Sequence, residues 1–241
     1  MYNVLISAAV AVVVFIGLKL AVASWWLPLL VSPLVALLVF FLISRIIMKK
    51  VMAIMETANR DLQGQRVDKA INELKSAFVY GKWQMYVTGQ LNAQIGMIYY
   101  MKRDFGKAFP YLEKSFFKNW VAMGMLAVSY MKRSKPEKMR ETFEKAIQWS
   151  SKESLLWNVY AYCLTEIGDT AKAREVLERG LKKLPGDEHL KGNLALLSEG
   201  KKMKMRGFGD MWFQFHLESI GAIQKHHAAA MGGSKRRIIR K

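Results

Sequence analysis

Acidic residues are absent from the first part of this chain, and thiols are scarce throughout it. Residues 1–48 contain no Asp or Glu, and only Lys19 and Arg45 are basic there. Cys163 is the only cysteine, so no intramolecular disulfide can form. Its neighbours in sequence are apolar, and we therefore predict a small buried side chain rather than a reactive thiol. A single thiol fits a reducing compartment.

The sequence also lacks a set of residues that could perform catalysis or bind a metal. Its four histidines, His189, His216, His226 and His227, come late and have no cysteine cluster beside them. Adjacent residues on a helix point about 100° apart, so His226 and His227 would not chelate one ion together. No Gly-Lys-Ser/Thr sequence of a phosphate loop is present. We predict a protein that is not an enzyme and needs no cofactor or metal.

Two long apolar stretches are the main feature of the N-terminal region. Residues 4–23 and 27–48 each have about the 20 residues that a membrane-spanning helix needs. Between them, residues 24–28 contain two tryptophans and a proline, which favours a turn at a membrane interface. We predict a transmembrane helical hairpin over residues 1–50. No helix breaker occurs between Met48 and Met55, so we expect the second helix to continue into the soluble region.

The basic residues of this region indicate how the hairpin is oriented. Arg45, Lys49 and Lys50 mark its far end, whereas Lys19 alone lies near the turn. By the positive-inside rule, both termini and the soluble part face the cytoplasm, and we predict a bacterial inner-membrane protein. Two alternatives are a signal peptide cleaved after residues 21–23 and a soluble apolar hairpin. The first lacks a basic n-region, and the second would aggregate in water.

A spacing pattern recurs three times between Asn92 and Pro185. A small residue is followed three positions later by Tyr or Leu, then at twelve by Ala or Met, at sixteen by a bulky apolar residue, and at nineteen by a second small residue. The copies are Gly96, Tyr99, Ala108, Leu112, Ser115; Ala127, Tyr130, Met139, Phe143, Ala146; and Ala161, Leu164, Ala173, Leu177, Gly180. Such a period is typical of stacked helix pairs.

These residues resemble the tetratricopeptide repeat (TPR), a 34-residue helix-turn-helix unit, with Gly168 and Asp169 as a turn in the third copy. The predicted fold is all-α: a transmembrane hairpin, a TPR-like α-solenoid and a C-terminal capping helix. An unrelated helical bundle is the alternative. The predicted repeats cover 51–84, 89–119, 120–153, 154–187 and a partial 188–200, and residues 201–241 form a basic segment. Ala58, Ala70, Leu74 and Ala77 carry the degenerate first repeat. The predicted packing residues are Gly96, Tyr99, Ala108, Ala127, Tyr130, Ala146, Trp157, Ala161, Ala173 and Pro185.

The resemblance also implies a binding surface, because in this family the first helix of each repeat lines a concave groove. The groove positions it implies here are Met97, Tyr100, Met101, Val128, Met131, Asn158 and Tyr162. Only Asn158 and Lys132 could clamp a C-terminal carboxylate, which argues against a receptor for chaperone tails. Met and Tyr side chains suit an apolar helix of a partner protein.

The last 41 residues hold +8 of the net charge of +18. Within residues 210–231, a dense apolar set consists of Trp212, Phe213, Phe215, Leu217, Ile220 and Ile223. We predict that this range is a helix that caps the last repeat, with filling of the groove as the alternative. The basic residues Lys235, Arg236, Arg237, Arg240 and Lys241 would contact anionic lipid or nucleic acid.

The sequence thus predicts a membrane-anchored scaffold or assembly factor that binds other proteins, such as membrane-complex subunits, through an apolar groove. The alternative is a membrane-tethered nucleic-acid- or ribosome-associated factor that acts through its basic tail.

Overall fold

The computed structural model describes residues 1–22, 24–218 and 221, and within these ranges the chain is helical and contains no strand. Two short 3₁₀ helices, Ala77–Lys82 and Arg206–Phe208, accompany the α-helices. The α-helices are α1 Tyr2–Ala21, α2 Trp26–Gln63, α3 Val67–Ser76, α4 Val87–Met101, α5 Phe105–Glu113, α6 Trp120–Lys132, α7 Pro136–Trp149, α8 Ser154–Glu166, α9 Thr170–Lys183, α10 Glu188–Ser198 and α11 Asp210–Phe213. This confirms the predicted all-α class. The chain divides into two compact units after Ala122.

In the first unit, α1 and α2 pack against each other as a hairpin. Both are long and apolar enough to cross a membrane by length and composition. A buried polar contact joins them: the side-chain amide of Asn3 donates to Ser44 Oγ at 2.7 Å and to the carbonyl of Phe40 at 3.4 Å. The start of α1 therefore lies beside residues 40–44 of α2.

The turn of this hairpin differs slightly from the predicted one. Helix α2 already begins at Trp26, so Pro28 lies inside its first turn, where a missing backbone N–H costs nothing. Lys19 Nζ lies 3.7 Å from the centroid of the Trp25 ring. This cation–π contact holds the one basic residue of α1 at the turn.

Helix α2 continues without interruption into the first repeat, as the sequence predicts. It has 38 residues, about 57 Å at the usual rise per residue, which is nearly twice a bilayer's hydrocarbon thickness. Its C-terminal part carries the buried residues Ile47, Val51 and Ala58 into one apolar core with Ala70, Ile71 and Leu74 of α3. One helix thus belongs to both the hairpin and the first repeat.

The same turn ends α2, α4, α6, α8 and α10, the first four of which are each followed by a partner helix. In each, one residue has a positive φ: Gln65, Arg103, Ser134, Gly168 and Gly200. The next backbone N–H bonds back to a carbonyl five residues earlier, at Asp61, Tyr99, Tyr130, Leu164 and Leu196. This arrangement closes a helix C-terminus by satisfying its last carbonyls. Only two of the five residues are glycines, so the repeats are more alike in structure than in sequence.

The predicted packing residues are mostly buried where paired helices approach. Their buried members are Gly96, Ala108, Ala127, Tyr130, Ala146, Trp157, Ala161 and Ala173. A Cβ added to Gly96 would lie 2.9 Å from Leu112 Cδ2 and 3.1 Å from the Leu112 backbone nitrogen, so α4 and α5 touch there. The Tyr99 ring stacks on Tyr111 at 5.9 Å. Pro185 is exposed in the turn after α9.

A single capping helix over residues 210–231 is wrong for the part of that range that the structure describes. Helix α11 ends at Phe213, and His216 has a φ of 50°, which a continuing helix does not allow. The remainder of the range, apart from Gly221, lies outside the described residues.

Candidate functional site

The predicted groove of the second unit is covered by the chain's own residues 201–218, here called the covering segment. It follows α10 and runs back across α10, α8 and α6, the first helices of their repeats. Trp212 and Phe215 are its largest fully buried side chains, and each is only 1% exposed. The groove is therefore occupied, which was the less favoured of the two alternatives for this part of the sequence.

At α10, the side-chain amide of Asn193 pairs with the backbone of Lys204. Lys204 N donates to Asn193 Oδ1 at 2.7 Å, and Asn193 Nδ2 lies 3.4 Å from the Lys204 carbonyl. Asn193 Nδ2 also donates to Asn158 Oδ1 at 2.7 Å. The ring of Phe208 lies 4.2 Å from that of His189. The covering segment is thus held on α10 by both backbone and ring contacts.

At α8 and α6 the contacts are aromatic and close. The rings of Trp212 and Tyr162 meet edge to face with centroids 4.8 Å apart. Phe215 lies against the backbone of α6 at Gly124, where an added Cβ would come within 2.8 Å of Phe215 Cε1. About two turns further along α6, Lys132 Nζ donates to the carbonyl of His216 at 2.8 Å. Only a glycine at position 124 leaves room for this ring.

Glu218 bonds to two other residues of the covering segment. It accepts a hydrogen bond from Trp212 Nε1 at 2.8 Å and pairs with Arg206 at 3.2 Å. A cavity of about 1070 Å³ lies beside these residues, lined on one side by Tyr162, Glu166 and His189 and on the other by residues 200–207, 217 and 218. Because the covering segment forms one wall, this cavity exists only while the segment is in place.

Burial raises the pKa of three titratable groups of α8, Tyr160, Tyr162 and Cys163. Burial, and a hydrogen bond to Glu166, raise the pKa of Tyr162 to about 12. Burial also raises the pKa of the Cys163 thiol well above its usual value. The shift favours the protonated form of the Tyr162 hydroxyl, and the fully buried Cys163 has the packing role that the sequence predicts.

The predicted groove residues fall into two groups. Tyr100, Val128 and Asn158 are completely buried and are unavailable as they stand to contact a partner. Met97, Met131 and Tyr162 are half-buried, and Met101 is 47% exposed. Tyr100 packs edge to face on Phe105 at 5.0 Å, and Asn158 bonds to the Ser154 carbonyl and to Asn193.

Three contacts were not predicted from the sequence: the hydrogen bond of Asn193 to Asn158, the packing of Phe215 on Gly124, and the hydrogen bond between Asn3 and Ser44. Asn193 lies 35 residues after Asn158, close to the repeat length. An asparagine at the equivalent position of the next repeat was therefore the sequence signal for this pair. The predicted tail residues Lys235, Arg236, Arg237, Arg240 and Lys241, and His226 and His227, lie outside the described residues. Among the residues that the structure describes, no group of three or more His, Cys, Asp or Glu could hold a metal.

Comparison with known families identifies the second clear repeat. Residues 122–153, which comprise most of α6 and all of α7, match the family model of the tetratricopeptide repeat. No curated protein and no solved structure matches the chain. The match supports the tetratricopeptide repeat family, whose repeats generally mediate protein–protein interactions.

Proposed function

We propose that this protein is a scaffold or assembly factor anchored in the bacterial inner membrane, with its repeats and both termini in the cytoplasm. The observation that carries the proposal is the surface of α1 and α2. Val13, Leu20 and Leu34 are 70%, 84% and 64% exposed. In the most apolar 18-residue stretch of each helix, only 6% (α1) and 11% (α2) is buried. A core helix of a water-soluble protein buries most of its apolar surface. Because α1 and α2 do not, lipid is the environment that suits them.

The proposed role is to bind other proteins, in particular subunits of membrane complexes, rather than to catalyse a reaction. The buried Cys163 is not available as a nucleophile, and the family match favours protein–protein interaction. Continuity of α2 from the hairpin into the first repeat supports the membrane location of the partners, because it fixes that repeat at the end of a membrane helix.

The partner would bind the face formed by α6 and α8 in place of the covering segment. That face already accepts Trp212 over Tyr162 and Phe215 over Gly124, so it suits a partner segment that carries aromatic and apolar side chains. Met131 and Tyr162 are half-buried there and would be the residues that such a segment contacts.

Affinity purification of the full chain in mild detergent, after cross-linking in membranes, tests this role. The variant Met131→Ala/Tyr162→Ala should lose the proteins that co-purify with the wild type. Truncation of such central side chains commonly costs about 1–2 kcal/mol each, or roughly tenfold in affinity. Trp149→Ala, at a 52% exposed residue of α7, is the matched control and should keep them. Circular dichroism should first show that each variant is folded.

The electrostatic alternative makes the opposite prediction. Deleting residues 235–241 should leave capture by the groove intact. If that deletion abolishes capture, if capture falls steeply with salt, and if the groove variant still captures, the basic tail is the binding element and the scaffold proposal is wrong.

A further inference from the structure

A second surface of the first unit lies at the level of the membrane interface. It consists of residues 78–86, here called the aromatic loop, which begin in the short 3₁₀ helix Ala77–Lys82 and end at the start of α4. The aromatic residues of this loop are Phe78, Tyr80, Trp83 and Tyr86. Its function is not explained by the groove, because it belongs to the connection between two repeats.

The depth of the aromatic loop follows from a contact with the first residues of α1. The rings of Tyr2 and Trp83 meet edge to face at 5.4 Å. Tyr2 begins α1, which has 20 residues, about 30 Å, the full thickness of the hydrocarbon core. Tyr2 must therefore lie at the boundary of that core, and Trp83 beside it.

The position of α2 gives the same depth independently. Asn3 bonds to Ser44 Oγ, and the next residue of α2 is Arg45, the first basic residue after its apolar span. Ile43 and Met48 of α2 pack against the same core as Tyr80 and Trp83. The aromatic loop thus lies beside the segment of α2 where the apolar span gives way to basic residues.

The side chains that the loop leaves exposed suit a lipid interface. Val79, Met85 and Tyr86 are 58%, 51% and 50% exposed. Tyr86 has a φ of 72°, an unfavourable conformation for a bulky residue. Its ring lies 5.0 Å from that of Phe116 and 6.2 Å from that of Phe117. Lys118 Nζ lies 5.9 Å from the centroid of the Phe117 ring. Lys82 in the loop is exposed, and residues 74–103 contain no Asp or Glu. Aromatic rings with nearby lysines are typical of the headgroup layer.

We propose that the aromatic loop lies in the headgroup layer of the cytoplasmic leaflet, with Met85 and Tyr86 in contact with lipid. It would be a second membrane contact besides the hairpin, and it would hold the first repeats against the bilayer. The partner is the lipid surface itself. The inference rests on the proposed membrane anchoring, because the depth of Trp83 is set by α1.

Site-directed spin labelling of the full chain in vesicles of zwitterionic and anionic phospholipid tests this inference. Met85→Cys and Val79→Cys carry the label in the loop, while native Cys163 is completely buried. Leu34→Cys in the apolar span of α2 and Met101→Cys at the end of α4 are the controls, at residues 64% and 47% exposed. Collision rates with dissolved oxygen and with a water-soluble nickel chelate report whether each label is in lipid or water.

We expect the ratio of oxygen to nickel collisions at positions 79 and 85 to be several-fold higher than at 101 and closer to that at 34. If the loop labels match position 101 while position 34 is in lipid, the loop inference is wrong and the hairpin stands. If the label at 34 is itself accessible to nickel, the membrane anchor is wrong and the loop inference falls with it. Protection of position 85 from both reagents would show a protein partner there and would also overturn the inference.

Discussion

Asn193 donates a hydrogen bond from its side-chain amide to Oδ1 of Asn158, 2.7 Å away, and the two side chains are 2% and 0% exposed. They occupy neighbouring first helices of the repeat array, α8 and α10. The other side of the Asn193 amide pairs with the backbone of Lys204. A buried chain of amides therefore joins two repeats to the covering segment.

Replacing Asn193 with alanine should destabilise the protein and loosen the covering segment. The change leaves Asn158 Oδ1 and the Lys204 N–H without their partner, and an unsatisfied buried polar group costs about 1–3 kcal/mol. We expect a lower melting temperature and faster amide hydrogen exchange over residues 204–216. Gly192→Ala is the matched control, because a Cβ there meets nothing within 4 Å; it should be neutral or stabilising by up to about 1 kcal/mol. Equal melting temperatures for the two variants would contradict the prediction.

Replacing Ala161 with leucine should overpack the third clear repeat. Ala161 is completely buried on α8, and extra methylenes in a packed core typically cost about 1–3 kcal/mol. Ala171→Leu is the control, because Ala171 is exposed on α9 of the same repeat. Thermal unfolding of the full chain in detergent should show a loss for the first variant only. A loss of the same size in both would mean that Ala161 has no special packing role.

The ion pair between Glu144 and Arg179 should make stability depend on acid pH. Arg179 donates to both carboxylate oxygens of Glu144, at 2.8 and 2.7 Å, and this bond holds the pKa of Glu144 below its ordinary value of 4.5. A lowered pKa in the folded state means that the stabilisation is complete above pH 4.5 and is lost as the pH falls through the folded pKa.

Melting temperatures of the wild type and of Glu144→Gln, measured from pH 7 to pH 3, should therefore converge at the acid end. Glu178→Gln, at an exposed residue next to Arg179, should run parallel to the wild type over the whole range. A constant difference between the wild type and Glu144→Gln down to pH 3 would show that the ion pair contributes nothing that depends on protonation.

The topology prediction concerns the turn of the hairpin. Arg45, Lys49 and Lys50 should keep the repeats in the cytoplasm and place residue 26 on the opposite side. Reporter fusions at residues 26 and 241 should therefore show opposite sidedness. A mature protein that begins at Ser24 would instead support the signal-peptide alternative.

The repeated core could be predicted from sequence because its signal is periodic. The spacing of Ala108, Ala127, Ala146, Ala161 and Ala173 reflects where paired helices must approach, and the structure buries all five. The continuity of α2 was also predictable, since no residue between Met48 and Met55 breaks a helix. Ala58, Ala70 and Leu74, on which the prediction of a degenerate first repeat rests, also lie in the core.

The covering segment could not be predicted in the same way. Trp212 and Phe215 form contacts with residues 50 or more positions away, and no local pattern encodes such contacts. Their apolar density suggested a long helix, but the contacts with Tyr162 and Gly124 favour a short helix followed by a turn, which places both rings on the face. Burial of Tyr100 and Asn158 was missed because family positions describe an open groove.

Trp212 and Phe215 come late in the chain, so the face that they cover is uncovered while the protein is being synthesised. A ribosome makes α6 and α8 well before it makes these two residues, and repeats fold as they emerge. Until then the face is open, and a partner that meets the nascent protein competes only with water. A partner that arrives later must first displace two buried aromatic rings. If a partner binds this face as proposed, access is therefore easier during translation than afterwards, and assembly would be coupled to synthesis.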